Sequence, residues 1–298
     1  TSANRSGEPP ATTAEEAATL EVDLVLDGGP ATSVTPSTLA RPTDTGWEVL
    51  RQGVAKLPPD EDQVHKLEST WKRTTIPTID GWVWQPERGY RFSIDSILLA
   101  SFTLPLLQGV SRAVDMGSGT GVLSFILAKR SAISRIDAIE VMEEFHNAMV
   151  LAVQDKGLAH RIDPVCGDLN HSKQFLPGNM YDLAIVNPPY YKSGAGRLSP
   201  RPSKATANSE EYAPLSLFIE DAKRVLKQGG LRTIIIPENR FQETLTLADR
   251  LSLHLGFLQP VYPNSRKGAN RLLLGFIKNR TPTLKILQPL HIFTLHNR

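Results

Sequence analysis

The sequence predicts an α/β fold with a mostly parallel sheet that carries helices on both faces. From about Thr75 onward, short apolar segments alternate with longer segments in which apolar residues recur at helical spacing. This alternation is typical of parallel sheets whose strands are joined by helices. A glycine loop follows the first of these strands, and a proline turn follows the fourth. Because open sheets of this kind bind ligands beyond the carboxyl ends of their strands, both motifs are candidates for a functional site.

Five strands and four helices are expected after Thr75. Each strand is a short run rich in Val, Ile and Leu, and each helix has an amphipathic pattern. The predicted strands are Ala113–Met116, Ile136–Val141, Ile162–Cys166, Leu183–Asn187 and Leu231–Ile236. The predicted helices are Val122–Arg130, Glu143–Lys156, Leu215–Leu226 and Phe241–Leu255.

Residues 1–56 differ from the rest in being rich in Thr, Ser, Pro, Ala and Gly. Within them, Thr1–Pro10, Asp23–Pro30 and Pro36–Thr38 closely resemble the last third of the threonylcarbamoyl-adenylate synthase domain. Most of that family's sheet has no counterpart in these residues, so we expect an incomplete amino-terminal appendage without synthase activity, cut from a longer fusion. Residues 57–74 predict a polar linker. The second domain is then expected over residues 75–298.

The composition indicates a soluble, cytoplasmic protein without a metal site. Of 298 residues, 40% are hydrophobic and 21% charged, and no run approaches the roughly 20 apolar residues of a membrane span. Cys166 is the only cysteine, which excludes an internal disulfide framework and a cysteine-rich zinc site. The formal net charge is +2, but residues 61–298 carry 29 basic and 22 acidic side chains. This surplus favours binding to nucleic acid.

The glycine loop runs from Asp115 to Gly121 and has the pattern G-x-G-x-G. A dinucleotide-binding G-x-G-x-x-G would need its third glycine at Val122, and the Gly-Lys-Ser/Thr of a phosphate-binding P-loop is absent. Glycines allow the backbone to approach a ligand closely at a strand-to-helix turn. The candidate cofactor-binding residues of this loop are Asp115, Gly117, Ser118, Gly119 and Gly121.

Three acidic residues end three successive predicted strands. Asp115 can accept a hydrogen bond from an ammonium group or order the loop. Glu140 can accept from both hydroxyls of a ribose, and Asp168 from an adenine amino group. The alternative is a tight turn with solvated acids. Three acids at the ends of three successive strands argue against this alternative. The glycine spacing and the motif that follows favour S-adenosylmethionine over NAD.

The tetrapeptide Asn187-Pro188-Pro189-Tyr190 closes the fourth strand, 66 residues after Gly121. The Asn187 side-chain oxygen and the Pro188 carbonyl can accept the two hydrogens of a planar amino group and stabilise the charge that develops during methyl transfer. The prolines stiffen the turn, and Tyr190 offers a ring on which a base can stack. The alternative is an ordinary proline turn.

With Arg91–Ala100 and Asn270–Lys278, these motifs make residues 75–290 resemble the bacterial tRNA1(Val) adenine-37 N6-methyltransferase family. The resemblance implies a seven-stranded class I methyltransferase sheet, S-adenosylmethionine as cofactor and a purine of the tRNA anticodon loop as target. It also implies that Asp95 lies near the cofactor; the alternative is that Asp95 caps a helix. We expect a monomer. One departure is Ala207-Asn208-Ser209-Glu210, where the family usually has Ala-Arg-His-Glu.

Two basic segments are candidates for contact with RNA phosphates, with solvated surface charge as the alternative for each. Between the catalytic motif and Lys204, the basic residues lie among Gly, Ser and Pro, which suggests a phosphate-binding flap. The predicted RNA-binding residues are Lys192, Arg197, Arg201 and Lys204 in this segment, and Arg266, Lys267 and Arg271 near the carboxyl terminus.

Two rival functions stay open. Glutamine N5-methylation of a protein such as a release factor uses the same Asn-Pro-Pro-Tyr chemistry, but the helical amino-terminal domain usual for those enzymes is absent. The other is a nonenzymatic RNA-binding module with a vestigial cofactor site, against which the intact glycine loop and acids argue.

Overall fold

The computed structural model describes the backbone of residues 39–43 and 46–51 and, with their side chains, residues 67, 69–88, 91–188 and 214–292. The chain divides into two compact units, residues 1–65 and 66–298. In the first unit, β1 (Leu39–Thr43) and β2 (Gly46–Arg51) form an antiparallel pair. The other residues of the predicted appendage, and most of the predicted linker, lie outside the described residues. The domain boundaries at 56 and 74 therefore stay a prediction.

An antiparallel hairpin of β3 (Trp71–Thr75) and β4 (Trp82–Pro86) opens the described part of the second unit. β3 begins inside the range predicted to be a linker. The reason is that Trp71 is buried and packs edge-on against Phe145, with ring centroids 5.1 Å apart. The sequence pattern around Trp71 gave no alternation long enough to indicate this strand.

Within the described residues, a nine-stranded sheet forms the centre of the second unit, in the order β12-β10-β11-β9-β8-β5-β6-β7, with β13 also paired to β10. Strands β5 to β9 are parallel, and β11 runs antiparallel to its neighbours β9 and β10. Seven strands make the predicted mostly parallel sheet, and β12 and β13 add two residues each at its edge. The strands are β5 (Arg112–Met116), β6 (Arg135–Glu140), β7 (Ile162–Cys166), β8 (Tyr181–Val186), β9 (Leu226–Pro237), β10 (Leu253–Tyr262), β11 (Arg271–Lys278), β12 (Lys285–Ile286) and β13 (Leu290–His291).

Helices cover both faces of this sheet, as predicted. Buried apolar residues of α1 (Ile94–Thr103), α2 (Val122–Arg130) and α3 (Glu143–Asp155) share one core with one sheet face. Those of α4 (Leu215–Val225) and α5 (Phe241–Arg250) share a second core with the other face. The two faces together confirm the predicted α/β fold class.

One predicted helix was wrong at its end. The expected helix Phe241–Leu255 stops at Arg250, and Leu253 already begins β10. Between them Ser252 has a φ of 55°, a left-handed conformation that ends a helix. Its carbonyl accepts a hydrogen bond from the Asn279 amide at 2.8 Å, which ties the turn to the end of β11. The apolar Leu251, Leu253 and Leu255 alternate with polar residues, so their period of two belongs to the strand.

Among the described residues, no helix is long and apolar enough to cross a membrane.

Candidate active site

The glycine loop forms the turn between β5 and α2. Gly117, Gly119 and Gly121 have φ values of 76°, 56° and 83°, which side chains larger than hydrogen rarely adopt. A Cβ atom at Gly121 would also lie 2.8 Å from the Met149 sulfur. The loop therefore requires glycine for its backbone conformation and, at Gly121, for packing as well.

Asp115 lies at the end of β5 with a fully buried side chain. Its Oδ2 atom accepts a hydrogen bond from Ser124 Oγ at 2.7 Å, and its Oδ1 atom has no hydrogen-bond partner among the described residues. Burial raises the pKa of this carboxyl to about 7. A carboxyl with one unsatisfied, desolvated oxygen at a ligand-binding edge is suited to a cationic group.

Glu140 braces the glycine loop from the end of β6. Its Oε2 accepts from the Gly119 amide and its Oε1 from the Met142 amide, each at 2.8 Å. Burial raises the pKa of the Glu140 carboxyl, and the backbone hydrogen bonds work in the opposite direction. Ser118 directs its hydroxyl to the Ile139 carbonyl at 3.2 Å. Both side chains thus order the loop, a role that the sequence analysis assigned only to Asp115.

Asp168 lies after β7 and is more exposed than the other two acids. Its side chain caps the 3-10 helix Leu169–Gln174 by accepting from the Asn170 amide at 2.9 Å. The His171 Nδ1 atom lies 3.5 Å from its second carboxylate oxygen. The structure therefore gives Asp168 a capping contact at the place where the sequence predicted an adenine contact.

The register of the sheet brings the two predicted half-sites together. Met116 of β5 and Val186 of β8 are paired residues on neighbouring strands. Gly117 and Asn187 directly follow them, so the glycine loop and the catalytic motif start about 5 Å apart on the same edge. Asn187 and Pro188 are described, whereas Pro189 and Tyr190 lie outside the described residues.

Helix α1 begins beside Asn187. Ser93 is its N-cap, since the Ser93 Oγ accepts from the Asp95 amide at 3.2 Å. The alternative that Asp95 caps this helix is therefore wrong. One turn further on, Ser96 Oγ accepts a hydrogen bond from Asn187 Nδ2 at 3.1 Å. Ser96 lies within the segment Arg91–Ala100, but nothing in the sequence pairs it with Asn187.

The carboxyl-terminal basic residues separate into two environments. Arg266 and Lys267 are exposed in the loop between β10 and β11, at the same edge of the sheet as Asn187. Arg271 instead directs its Nε atom to Asp95 Oδ2 at 3.3 Å. The other four predicted RNA-binding residues, Lys192, Arg197, Arg201 and Lys204, lie outside the described residues.

Gln85 of β4 links the hairpin to the glycine loop and to the residues that lead into α1, and no sequence motif points to it. Its side chain is buried, with Nε2 donating to Thr120 Oγ1 at 2.6 Å and Oε1 accepting from the Phe92 amide at 2.8 Å. Thr120 belongs to the glycine loop, and Phe92 leads into α1. One side chain therefore holds the glycine loop and the start of α1 in a fixed relation.

A family model described as methyltransferase small domain matches residues 94–259, which is more than half of the chain. The chain belongs to the methyltransferase small domain family. A second model, described as telomere recombination and covering the Sua5, YciO and YrdC proteins, matches residues 1–53. The two matches agree with the two resemblances found in the sequence.

Curated relatives of this methyltransferase-family chain carry the name tRNA1(Val) (adenine(37)-N6)-methyltransferase. The protein from Flavobacterium psychrophilum is 26% identical over 66% of this chain and 83% of its own length. The protein from Vibrio campbellii is 27% identical over 66% of this chain and 80% of its own length. These names confirm the family resemblance of the second domain.

Solved structures of methyltransferases share the fold. A predicted O-methyltransferase from Agrobacterium tumefaciens aligns with a TM-score of 0.54 and 20% identity, over 68% of this chain and 89% of that one. The tRNA m1G37 methyltransferase of M. jannaschii aligns with a TM-score of 0.50 and 17% identity, over 71% of this chain and 58% of that one. At this identity the likeness establishes the class I methyltransferase fold alone.

The site of this methyltransferase-family chain fits a cationic nucleoside cofactor. The Asp115 Oδ1 atom, which has no partner among the described residues, offers an acceptor for a positive group. A Cβ atom at Gly119 would meet no described atom within 4 Å, so this glycine leaves room for a ligand against the backbone. Glu140 ends β6, and Asp168 follows β7, the next strand along the same edge. These features match the donor and acceptor needs of S-adenosylmethionine without requiring a metal.

Proposed function

We propose that the second domain transfers a methyl group from S-adenosylmethionine to N6 of an adenine in tRNA, at position 37 of the anticodon loop. The observation that carries the proposal is the placement of Asn187, which Ser96 contacts, directly after β8, the neighbour of the strand that leads into the glycine loop. The names of the curated relatives support the same reaction and the same acceptor. A loop base is also the least costly target, because it is unpaired or easily extruded.

The cofactor supplies an electrophilic methyl group on a sulfonium centre. We assign its binding to the glycine loop, in which Gly119 gives close approach, Gly117 and Gly121 allow the backbone conformation and Ser118 orders the turn. Asp115 accepts from the ammonium group, Glu140 from the ribose hydroxyls and Asp168 from the adenine amino group. We also assign Asp95, the second residue of α1, a place near the cofactor.

The acceptor amine needs a different set of groups. Its nitrogen lone pair is delocalised into the purine ring, so the nitrogen is a weak nucleophile until its hydrogens are held by acceptors. Asn187 Oδ1 and the Pro188 carbonyl would accept hydrogen bonds from these two hydrogens and stabilise the positive charge that grows on nitrogen. As the N–CH3 bond forms, the S–CH3 bond of the cofactor breaks, and the methylated nitrogen then loses one proton to solvent. Pro189 stiffens the turn, and Tyr190 stacks on the extruded base.

We assign tRNA phosphate binding to the basic residues at this edge and in the segment after the catalytic motif. Arg266 and Lys267 are exposed at the site edge, and Lys192, Arg197, Arg201 and Lys204 would add charge from the segment after Tyr190. We further propose that the protein acts as a monomer in the cytoplasm, the compartment of its tRNA substrate.

The deciding experiment uses an unmodified tRNA1(Val) transcript, isotopically labelled S-adenosylmethionine and mass spectrometry of the digested nucleosides. Labelled N6-methyladenosine should form with this transcript and not with one that carries guanine at position 37. The Asn187→Ala variant should give no label while still binding cofactor. Label in the guanine-37 transcript would contradict the assigned position. Label only in a release factor, measured in parallel, would establish the glutamine alternative.

A further inference from the structure

We propose that Gln85 is a positioning residue, which holds the glycine loop in the conformation that binds the cofactor. The inference rests on the proposed function, since it extends the cofactor site of that reaction to the hairpin of β3 and β4. Both strands of this hairpin precede residues 94–259, which match the methyltransferase family. Gln85 therefore adds to the site an element that the family match does not include.

Both polar atoms of the Gln85 side chain make hydrogen bonds, and two of the partners fix the orientation of its amide. The Phe92 N–H group can only donate, and its nitrogen lies 2.8 Å from Oε1. The Trp84 carbonyl can only accept, and its oxygen lies 3.2 Å from Nε2. In this orientation Nε2 has a second hydrogen for Thr120 Oγ1, at 2.6 Å. The contact with the glycine loop is therefore a donation from Gln85 to Thr120.

The glycine loop needs such a contact because its own backbone is flexible. Gly117, Gly119 and Gly121 all have positive φ values, and glycine loses more conformational freedom on ordering than any other residue. A loop that is already ordered before a ligand arrives avoids part of this cost on binding. Glu140 accepts from the Gly119 amide, and Gln85 holds the next residue of the loop from the hairpin. The two contacts fix consecutive residues in the middle of the loop.

Gln85 can hold the loop because the hairpin is itself packed into the core. Gln85 is 1% exposed, and its neighbours Val83 and Trp84 are buried. On the other strand of the hairpin, Trp71 packs against Phe145 of α3, with ring centroids 5.1 Å apart. The place of the Gln85 amide is therefore set by the packing of the hairpin and not by the loop that it contacts.

The first test measures the Kd of S-adenosylmethionine by calorimetry, without tRNA. Thr120→Val replaces the acceptor hydroxyl with a methyl group and should raise the Kd about tenfold, the range that one hydrogen bond controls. Thr120→Ser keeps the hydroxyl and should bind within about twofold of the unmodified protein. Thr244→Val is the matched control, because the buried Thr244 hydroxyl of α5 donates to the Arg240 carbonyl at 2.8 Å and not to the glycine loop. Its Kd should stay within about twofold even if its stability falls.

A double variant tests whether the effect passes through Gln85. In Gln85→Met, a side chain of similar length cannot donate to Thr120, so the contact is already lost. Adding Thr120→Val in that background should raise the Kd less than about twofold, by comparison with about tenfold when Gln85 is present. An equal loss in both backgrounds, or no loss from Thr120→Val in either, would overturn the proposal.

A second measurement does not depend on cofactor binding. The Gly121 amide donates to the Ser118 carbonyl at 2.9 Å, so its hydrogen exchange reports on the order of the loop. Without cofactor, this amide should exchange at least about fivefold faster in Thr120→Val than in the unmodified protein or in Thr244→Val. Equal exchange rates would show that Gln85 does not order the loop. If the unmodified protein binds no S-adenosylmethionine, the proposed function is wrong, and the exchange rates still decide the role of Gln85.

Discussion

Arg271 and Asp95 are 176 residues apart in the chain, yet Arg271 Nε lies 3.3 Å from Asp95 Oδ2. The pair joins the start of β11 to the start of α1 at the edge that carries the glycine loop and Asn187. The Asp95 side chain is 8% exposed and that of Arg271 27%, so this contact is much less hydrated than a surface ion pair. Arg271 was predicted to bind RNA, and its place in the structure assigns it a role in holding α1.

Replacing Arg271 with Met should therefore destabilise the protein. The change removes the cation that faces a buried carboxylate, which costs about 1 to 3 kcal/mol of unfolding free energy. Urea denaturation followed by circular dichroism measures the loss. Arg266→Met is the matched control, because Arg266 is exposed in the adjacent loop and should change stability by less than about 0.5 kcal/mol. Equal stability of the two variants would contradict the structural role of Arg271.

Arg266 and Lys267, unlike Arg271, should contribute to tRNA binding. Each phosphate contact that is lost lowers the slope of log K against log salt by about 0.9. The double variant Arg266→Ala and Lys267→Ala should thus bind tRNA more weakly and with a slope smaller by about 1 to 2. Fluorescence anisotropy with labelled tRNA at several salt concentrations gives both values. An unchanged slope would mean that these side chains are solvated surface charge.

Asp115 should make stability depend on pH in a specific direction. Burial raises its folded pKa from 3.8 to about 7, so the folded protein holds this proton more tightly than the unfolded chain. The contribution of this proton to folding stability is fully present below about pH 4 and is lost as the pH rises through about 7. In Asp115→Asn, whose amide oxygen can still accept from Ser124, this part of the pH dependence should disappear. Denaturation of both proteins without cofactor at pH 5 and pH 8 tests it, and parallel pH profiles would contradict the raised pKa.

Binding of a cationic cofactor should cause Asp115 to release its proton. A positive group near Oδ1 favours the carboxylate, so proton release is expected on binding at about pH 6.5. Calorimetry in two buffers of different ionisation enthalpy measures the number of protons released. The Asp115→Asn protein serves as the control and should release fewer protons on cofactor binding.

The changes Glu140→Gln and Asn187→Ala should separate cofactor binding from turnover. The side chain of glutamine has one acceptor oxygen and one NH2 group that only donates. In Glu140→Gln, this NH2 group would therefore face the backbone N–H of either Gly119 or Met142. Cofactor affinity should fall about tenfold or more, since hydrogen bonds to charged groups contribute about 1.5 to 3 kcal/mol. At saturating cofactor, kcat should change little. Asn187→Ala should instead abolish kcat and leave cofactor affinity within about twofold. Loss of both kcat and cofactor affinity in either variant would contradict the role assigned to that residue.

The sequence predicted the elements whose signal is local. Helix Val122–Arg130 has the predicted bounds, and β5 begins one residue earlier than expected, because each has an apolar pattern bounded by a turn. The hairpin of β10 and β11 was missed because an apolar run such as Leu272–Ile277 fits a buried strand or a buried helix equally well. Its identity depends on pairing with β9, which no local pattern encodes.

The candidate site likewise combines motifs that the local sequence predicts with long-range contacts that it does not predict. The glycine loop is one contiguous segment of sequence, and so is the Asn187 motif. The chemistry of each can be predicted from its residue types and spacing. The contacts of Ser96 with Asn187 and of Gln85 with Thr120 join residues 91 and 35 positions apart. Nothing in the local sequence around Ser96 or Gln85 identifies the partner of that side chain, so both contacts can be seen only in the folded chain.

Arg232 of β9 gives a final prediction about stability. Its side chain is fully buried, and none of its three guanidinium nitrogens has a hydrogen-bond partner among the described residues. Desolvation lowers its pKa to about 9. The guanidinium carbon lies 5.5 Å from the centroid of the Phe276 ring, and a cation–π contact offsets only part of the desolvation cost.

Replacing Arg232 with Met should raise the unfolding free energy by about 1 to 3 kcal/mol, because an apolar side chain of similar length removes a buried charge and keeps the packing. Arg232→Ala is the control for volume, since it removes the charge but leaves a cavity, and it should be less stable than Arg232→Met. Thermal and urea denaturation measure both. A Met variant less stable than the unmodified protein would show that the guanidinium has a stabilising partner, in which case a buried water or anion should be sought beside it.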